Sequence, residues 1–324
     1  MAATPSEPWT IARVIAWASA DLKAHGARTA RLDAELLLGH ALGCDRVRLV
    51  IDGQRPLAPD ELAAYRALHK RRRLGEPVAY LRGEREFYGR PFVVDRRVLV
   101  PRPETEGLVE VALARTRRLG LCARLLDLCT GSGCVAITLA KERPTTEVWA
   151  SDLSSDALDV ARANALRLGA RVSLRRADLY QGLEALRGTL DLVTANPPYI
   201  PSDELASLPV DVRGFEPRSA LDGGSDGLGL LRRVVDGARQ MLAPGGVLAV
   251  EVGAGQAAAV RRLFGEAGFD AIDTARDYGG HERIVSAERG GPAGRPSAPL
   301  DPLPPAAAGA SLGQDAEPRP RAQK

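Results

Sequence analysis

The segment TANPPYI at 194–200 sets an amide side chain, two prolines and an aromatic ring directly after the apolar residues Leu190, Leu192 and Val193. Pro197 and Pro198 have no N–H. Asn196 and Pro197 each precede a proline and are pushed towards extended backbone. The result is a stiff stretch that offers acceptors and a flat ring, which suits a planar –NH2 group, an amide or an aromatic amine. The Asn196 side-chain oxygen and the Pro197 carbonyl would accept its two N–H bonds, and Tyr199 would stack on its plane. Such a nitrogen is a poor nucleophile because its lone pair is delocalised. Holding it in line and favouring positive charge on it would assist its reaction with an electrophile. No strong base is needed, because the product nitrogen is acidic. The catalytic candidates are therefore Asn196, Pro197, Pro198 and Tyr199; the competing reading is a turn with no ligand.

A second stretch, LLDLCTGSGCVAITLA at 125–140, reads as a strand, a Gly-containing turn and a helix. In open α/β sheets ligands bind at the carboxyl ends of strands near the switch in strand order. Cys129, Thr130, Gly131, Ser132 and Gly133 form the turn, and its glycines allow backbone to approach a ligand. The dinucleotide fingerprint has a third glycine, for which some versions accept alanine; Ala136 stands there. Asp127 before the turn suits a cationic amino group better than a pyrophosphate. Asp152, roughly 20 residues after the turn, suits ribose hydroxyls, or alternatively caps the next helix. Asp178 could accept from an adenine amino group, or be a surface cap. Ribose, adenine, ammonium and no phosphate together fit S-adenosylmethionine.

The elements that would position these residues follow from periodicity. Apolar residues at Ile11, Val14, Ile15, Ala18 and Leu22 have helical spacing, with Gly26 a stop. ARLDAELLLGHALG and APDELAAYRALHKRRRLG continue the helical pattern. Residues 9–84 read as a helical domain. Residues 85–97, with aromatic and β-branched residues around Gly89-Arg90-Pro91, read as a β-hairpin linker, and 98–288 as an α/β domain. In it, strands at 124–129, 147–152, 172–175, 190–195, 246–252 and 283–287 alternate with helices, which implies a doubly wound sheet. Residues 289–324, rich in Pro, Ala and Gly, read as a disordered tail.

The bulk properties exclude more than they assign. The 324 residues are 45% hydrophobic and 26% charged, ordinary for a soluble globular protein. No apolar run is long enough for a bilayer and no signal peptide is visible, so a cytoplasmic protein without membrane contact is expected. A net charge of +3 gives no ground for nucleic-acid binding. The basic run Lys70-Arg71-Arg72-Arg73 reads first as a solvated helix end, second as a contact for RNA or an acidic partner. Cys44, Cys122, Cys129 and Cys134 form no CxxC pair, so neither a metal site nor a disulfide framework is expected. None of the histidines is assigned to catalysis.

With NPPY and the Gly turn in place, the flanking stretches RRRLGEPVAYLRGEREFYG (71–89), VLVPRPETE (98–106), DVRGFEPRSALDGGSDGL (211–228) and RDYGGHERIV (276–285) resemble the HemK/PrmC family in order and spacing over roughly residues 9–288. NPPY alone is shared with adenine-N6 methyltransferases. The resemblance implies a Rossmann-like S-adenosylmethionine-dependent methyltransferase sheet with a small N-terminal helical bundle domain joined by a β-hairpin. It implies methylation of the side-chain amide nitrogen (N5) of the glutamine in the Gly-Gly-Gln motif of class 1 peptide chain release factors; a monomer is expected, though the sequence is silent on oligomeric state. Asp127, Cys129, Thr130, Gly131, Ser132, Gly133, Asp152, Asp178, Leu179 and Asn196 would bind the cofactor, Asn196 to Tyr199 would hold the glutamine, and the helical domain would help dock the release factor. The family more often has Gly at Cys129, which is tolerable if the backbone there avoids positive φ. It often has an aromatic at Leu179, whose stacking would be lost or supplied by Tyr180. In PRPETE, Glu104 and Glu106 either favour the first turn of a helix or wall the substrate pocket. The alternatives are a DNA or RNA adenine-N6 methyltransferase, which would need a larger basic surface, and a Rossmann oxidoreductase.

Overall fold

A computed structural model describes residues 8–117 and 122–291; the tail at 289–324 lies, beyond Gly291, outside the described residues. The chain begins with helices α1 (Ile11–Ala24), α2 (Ala30–Leu42), α3 (Arg46–Ile51), α4 (Pro59–Arg73) and α5 (Val78–Arg82). The side chain of Thr10 accepts from Arg13 N at the start of α1, and Gly43 closes α2 in the left-handed region at φ 64. Ile11, Val14, Ala18 and Leu22 bury one face of α1 against Leu37, Leu38 and Tyr65. The short α3 has no counterpart in the periodicity, because it buries only Leu49.

Strands β1 (Glu84–Phe87) and β2 (Arg90–Val93) pair antiparallel around a turn at Tyr88 and Gly89, both with positive φ (51 and 72), as a two-residue hairpin turn requires. Helix α6 (Glu106–Arg115) follows, and Glu106 Oε1 accepts from Tyr88 N at 2.9 Å, tying it to the hairpin.

Then come β3 (Arg124–Leu128), α7 (Cys134–Glu142), β4 (Glu147–Asp152), α8 (Ser155–Leu168), β5 (Ser173–Arg176), β6 (Leu190–Ala195), α9 (Val210–Arg213), α10 (Gly229–Met241), β7 (Leu242–Glu251), α11 (Ala257–Glu266), β8 (Phe269–Arg276) and β9 (Glu282–Arg289). The seven strands order as β5-β4-β3-β6-β7-β9-β8. The first five are parallel, β9 is inserted antiparallel to β7, and the edge strand β8, antiparallel to β9, runs in the direction of the first five. After β3 the chain steps towards β5, and from β6 it steps the other way. Right-handed crossovers in opposite directions put α7 and α8 on one face and α10 on the other. The expected doubly wound sheet is present. The strand β8 is missing from the periodicity because its residues after Phe269 are exposed or half-buried. The central strands β3, β6 and β7 are buried nearly throughout, as strands covered on both faces must be.

Candidate active site

The switch in strand order falls between β3 and β6, and a cavity of about 470 Å³ opens at their carboxyl ends, within the range usual for small-molecule sites. It is built from four segments.

The first is the turn after β3. Asp127 is 2% exposed. Its Oδ2 accepts from Thr130 Oγ1 and its Oδ1 from Thr194 Oγ1, both at 2.7 Å. Burial pushes its pKa up to about 6 against the pull of these hydroxyls. Gly131 N donates to Asp152 Oδ2 and Ser154 N to Asp152 Oδ1, each at 2.9 Å. Burial raises the Asp152 pKa too, opposed by these backbone N–H groups. The helix cap beyond it is Ser154, which accepts from Ala157 N, so the capping reading of Asp152 is answered by its neighbour. A Cβ built on Gly131 meets nothing within 4 Å, whereas one on Gly133 would press Ile137 at 2.8 Å. The turn is locked from behind by buried Asn164, which donates to Ser132 O at 2.9 Å and exchanges hydrogen bonds with Val93 of β2.

Cys129 sits at φ 55. The condition under which a side chain would be tolerated free of strain, a backbone without positive φ, is therefore not met. A non-glycine residue occupies a left-handed position. Burial raises its thiol pKa far above the usual range.

The second wall follows β5, with Ala177, Asp178 and Leu179. Asp178 Oδ2 pairs with Arg233 of α10 at 2.9 Å, so its carboxylate already has a cationic partner, one the sequence reading missed. Leu179 also has positive φ (55), and its carbonyl accepts from Ser151 Oγ. Tyr180 turns away from the cavity. Its hydroxyl donates to Val234 O at 2.7 Å and its ring lies against Gly237, which removes it as a substitute stacking partner.

The third wall is the catalytic segment. Asn196 and Pro198 line the cavity, whereas neither the buried Pro197 nor Tyr199 is among its lining residues. Asn196 Nδ2 donates to Thr105 Oγ1 at 3.2 Å. The Tyr199 hydroxyl donates to Glu251 Oε1 at 3.4 Å, and its carbonyl accepts from Gln256 Nε2 at 2.9 Å. A Cβ on Gly223 or Gly227 would run into the Tyr199 backbone, so only glycine fits in the following segment, where Ile200 N donates to Leu221 O at 3.0 Å.

The fourth wall is 97–105. Arg102 and Thr105 line the cavity, opposite Pro217, Ser219 and Ala220. The basic run on α4 lies elsewhere and is not simply solvated: Arg72 is nearly buried and pairs with Asp33 at 2.8 Å, while Arg71 pairs with Glu76 at 2.7 Å. Thr105, Glu216, Arg233 and Glu251 escaped the sequence reading. For Glu251 a signal existed, a carboxylate ending an apolar strand, the same one that marked Asp127 and Asp152.

A doubly wound sheet of this order with a Gly turn and NPPY at its switch point defines a Rossmann-like methyltransferase. Residues 13–83 match the PrmC N-terminal domain and 109–207 the methyltransferase small domain. A release factor glutamine methyltransferase of Geobacter sulfurreducens is 46% identical over 284 residues, 88% of this chain and 98% of that one. Another, of Rhodopirellula baltica, is 41% identical over 297 residues, 89% and 100%. Among solved structures, the hMettl16 catalytic domain in complex with a 3'UTR hairpin matches with a TM-score of 0.52 at 13% identity, covering 68% of this chain and 82% of that one, a likeness of fold alone. The chain belongs to the release factor glutamine methyltransferase family. Among the described residues no helix is long and apolar enough to cross a membrane.

Proposed function

We propose that this protein transfers a methyl group from S-adenosylmethionine to the side-chain amide nitrogen of the glutamine in the Gly-Gly-Gln motif of peptide chain release factors. The observation that carries the reading is the position of Asn196. It stands at the carboxyl end of β6 on the cavity wall, with its NH2 engaged by Thr105. That leaves Oδ1 as the acceptor for an incoming amide N–H.

The residues present fit the cofactor. Gly131 leaves the space a Cβ would fill. Asp152, each oxygen holding one backbone N–H, keeps lone pairs for ribose hydroxyls. Asp127 supplies negative potential for an ammonium. When bound, S-adenosylmethionine supplies an electrophilic methyl group on its sulfonium. Asn196 and the Pro197 carbonyl accept from the glutamine amide, turn its lone pair to the methyl and favour positive charge on nitrogen. Pro197 and Pro198 hold these acceptors stiff. The proton leaves late, and the site holds no group needed to take it early. The helical domain at 9–84 takes part in docking the release factor, and the protein acts as a cytoplasmic monomer.

The test is peptide mass spectrometry after incubation with S-adenosylmethionine and, separately, a release factor or an adenine-containing duplex. One added methyl on the Gly-Gly-Gln glutamine is expected. Methyl transfer to adenine alone would overturn the substrate and keep the chemistry.

A further inference from the structure

Glu251 ends β7 and is 1% exposed. Val250 is opposite Ala195 in the parallel β6–β7 pairing, so Glu251 lies level with Asn196. Tyr199 donates to its Oε1 at 3.4 Å, its buried Oε2 accepts no hydrogen bond, and the Thr105 hydroxyl stabilises its charge. Arg283 on β9 attracts its charge and Glu104, beside Thr105, opposes it. Nothing in the transfer chemistry above uses this carboxyl.

Thr105, itself 2% exposed, links it to the catalytic amide. Its one hydroxyl proton can serve one acceptor. While Glu251 is ionised, the unsatisfied buried Oε2 draws that proton, and the Thr105 oxygen is left as an acceptor only. Asn196 must then turn its NH2 to Thr105 and its Oδ1 to the cavity, as found. An amide whose two ends are nearly alike in shape is oriented only by such a network. With Glu251 protonated, the carboxyl donates to Thr105. The Thr105 proton is then free to bond Asn196 Oδ1, and both amide orientations are satisfied.

We propose that Glu251 is a positioning residue that, through Thr105, holds the Asn196 oxygen towards the substrate nitrogen and, through its second contact, braces Tyr199. The inference rests on the methyl-transfer reading above. Burial pushes the Glu251 pKa up to about 7, so turnover should rise as pH passes through neutrality. Thr105, Tyr199, Arg283, Glu104 and the Cys134 thiol are the groups that interact with it, and Asn196 reaches it through Thr105.

The experiment compares the full chain with Glu251→Gln, Thr105→Val, Thr105→Ser and the Glu251→Gln/Thr105→Val double variant across neutral pH. It measures kcat, KM for the release factor and calorimetric binding of S-adenosylhomocysteine. Each of Glu251→Gln and Thr105→Val should lower kcat by about tenfold, the effect of about one hydrogen bond, with KM and cofactor-product binding unchanged. Thr105→Ser should restore kcat, and the double variant should be no worse than either single one. The rise of kcat through neutral pH should vanish in Glu251→Gln. A limb from Asp127, whose pKa is about 6, would persist in both proteins. Additive losses, a serine as poor as the valine, or an unchanged pH profile in Glu251→Gln would overturn the proposal. A readout independent of turnover is the NMR signal of the Asn196 side-chain NH2, identified by its loss in Asn196→Ala. It should shift as pH crosses neutrality in the wild type and stay still in Glu251→Gln. A signal that stays still in the wild type overturns the relay, whatever the substrate. A wild type that leaves the glutamine unmethylated overturns the assigned function instead.

Discussion

Arg102 Nη2 lies 2.7 Å from both carboxylate oxygens of Glu216, joining residues 114 apart in sequence across the mouth of the cavity. Glu216 is 6% exposed, and burial raises its pKa against the pull of Arg102. Removing the cation leaves a buried carboxylate without its partner, which destabilises far more than the pair itself stabilises. With the Arg102 side chain 32% exposed, Arg102→Ala should lose about 3 kcal/mol, the low end for a broken buried pair, read as a lower urea midpoint. Glu216→Gln, which leaves no buried charge, should lose clearly less. Equal losses from the two changes would mean that the buried charge is not what matters.

Cys129 at φ 55 carries strain that a glycine would not. A left-handed residue with a Cβ costs about 1–2 kcal/mol, offset by roughly 0.5–1 kcal/mol for the extra freedom of glycine in the unfolded chain. Cys129→Gly should be neutral to about 1 kcal/mol more stable, with S-adenosylhomocysteine affinity preserved. Paired denaturation curves and calorimetry decide it, and a clear loss of stability would show that packing of the thiol outweighs the backbone.

Asn196→Ala removes the acceptor for the transferring nitrogen. Turnover should fall by about 100-fold or more, while S-adenosylhomocysteine binds nearly as before. Single-turnover kinetics with a release factor, set beside calorimetry, separate the two. Near-normal turnover would remove Asn196 from the chemistry.

The residues legible in the sequence were those whose backbone consequences are local. Two prolines after an apolar strand, glycines between a strand and a helix, and carboxylates at strand ends state their geometry wherever they occur. What was not legible is what long-range contact decides. Glu216 gains its role only because 211–228 folds back over 98–106, Thr105 only because β6 and β7 bring Asn196 and Glu251 beside it, and Arg233 meets Asp178 only across the cavity. Tyr180 could not be steered to or from the cavity by sequence, since its direction is set by the small surface of Gly237 on α10. The strand β8 was missed for a related reason. An edge strand with one apolar anchor, Phe269, carries no alternation to read.

The buried carboxyl of Asp127 makes stability depend on pH with a definite sign. Its pKa rises on folding from 3.8 to about 6, so the folded protein holds the proton more tightly than the unfolded chain. This contribution is fully present below the unfolded value and is lost as pH rises through the folded one, by about 3 kcal/mol. The fall between pH 3.8 and about 6 should shrink in Asp127→Asn, followed by urea midpoints. A variant with the wild-type slope would assign the dependence to other groups, Glu251 first among them.

Gly131 and Gly133 are alike in sequence and both have positive φ, 54 and 80, yet alanine should fail differently at each. The backbone strain of a Cβ is common to the two, so the difference lies in what the Cβ meets. At Gly133 it would sit 2.8 Å from Ile137 Cδ1 and 3.2 Å from Ala161 Cβ, pressing α7 from α8 in a core with no room to yield. At Gly131 it meets no protein atom within 4 Å, and the residue lines the cavity. Gly133→Ala should therefore lose about 1–3 kcal/mol more stability than Gly131→Ala. Gly131→Ala should lose S-adenosylhomocysteine affinity beyond what its melting curve explains, because the methyl group takes space the ligand needs. Calorimetry on the folded variants tests the contrast, and an unchanged affinity in Gly131→Ala would place the cofactor away from this turn.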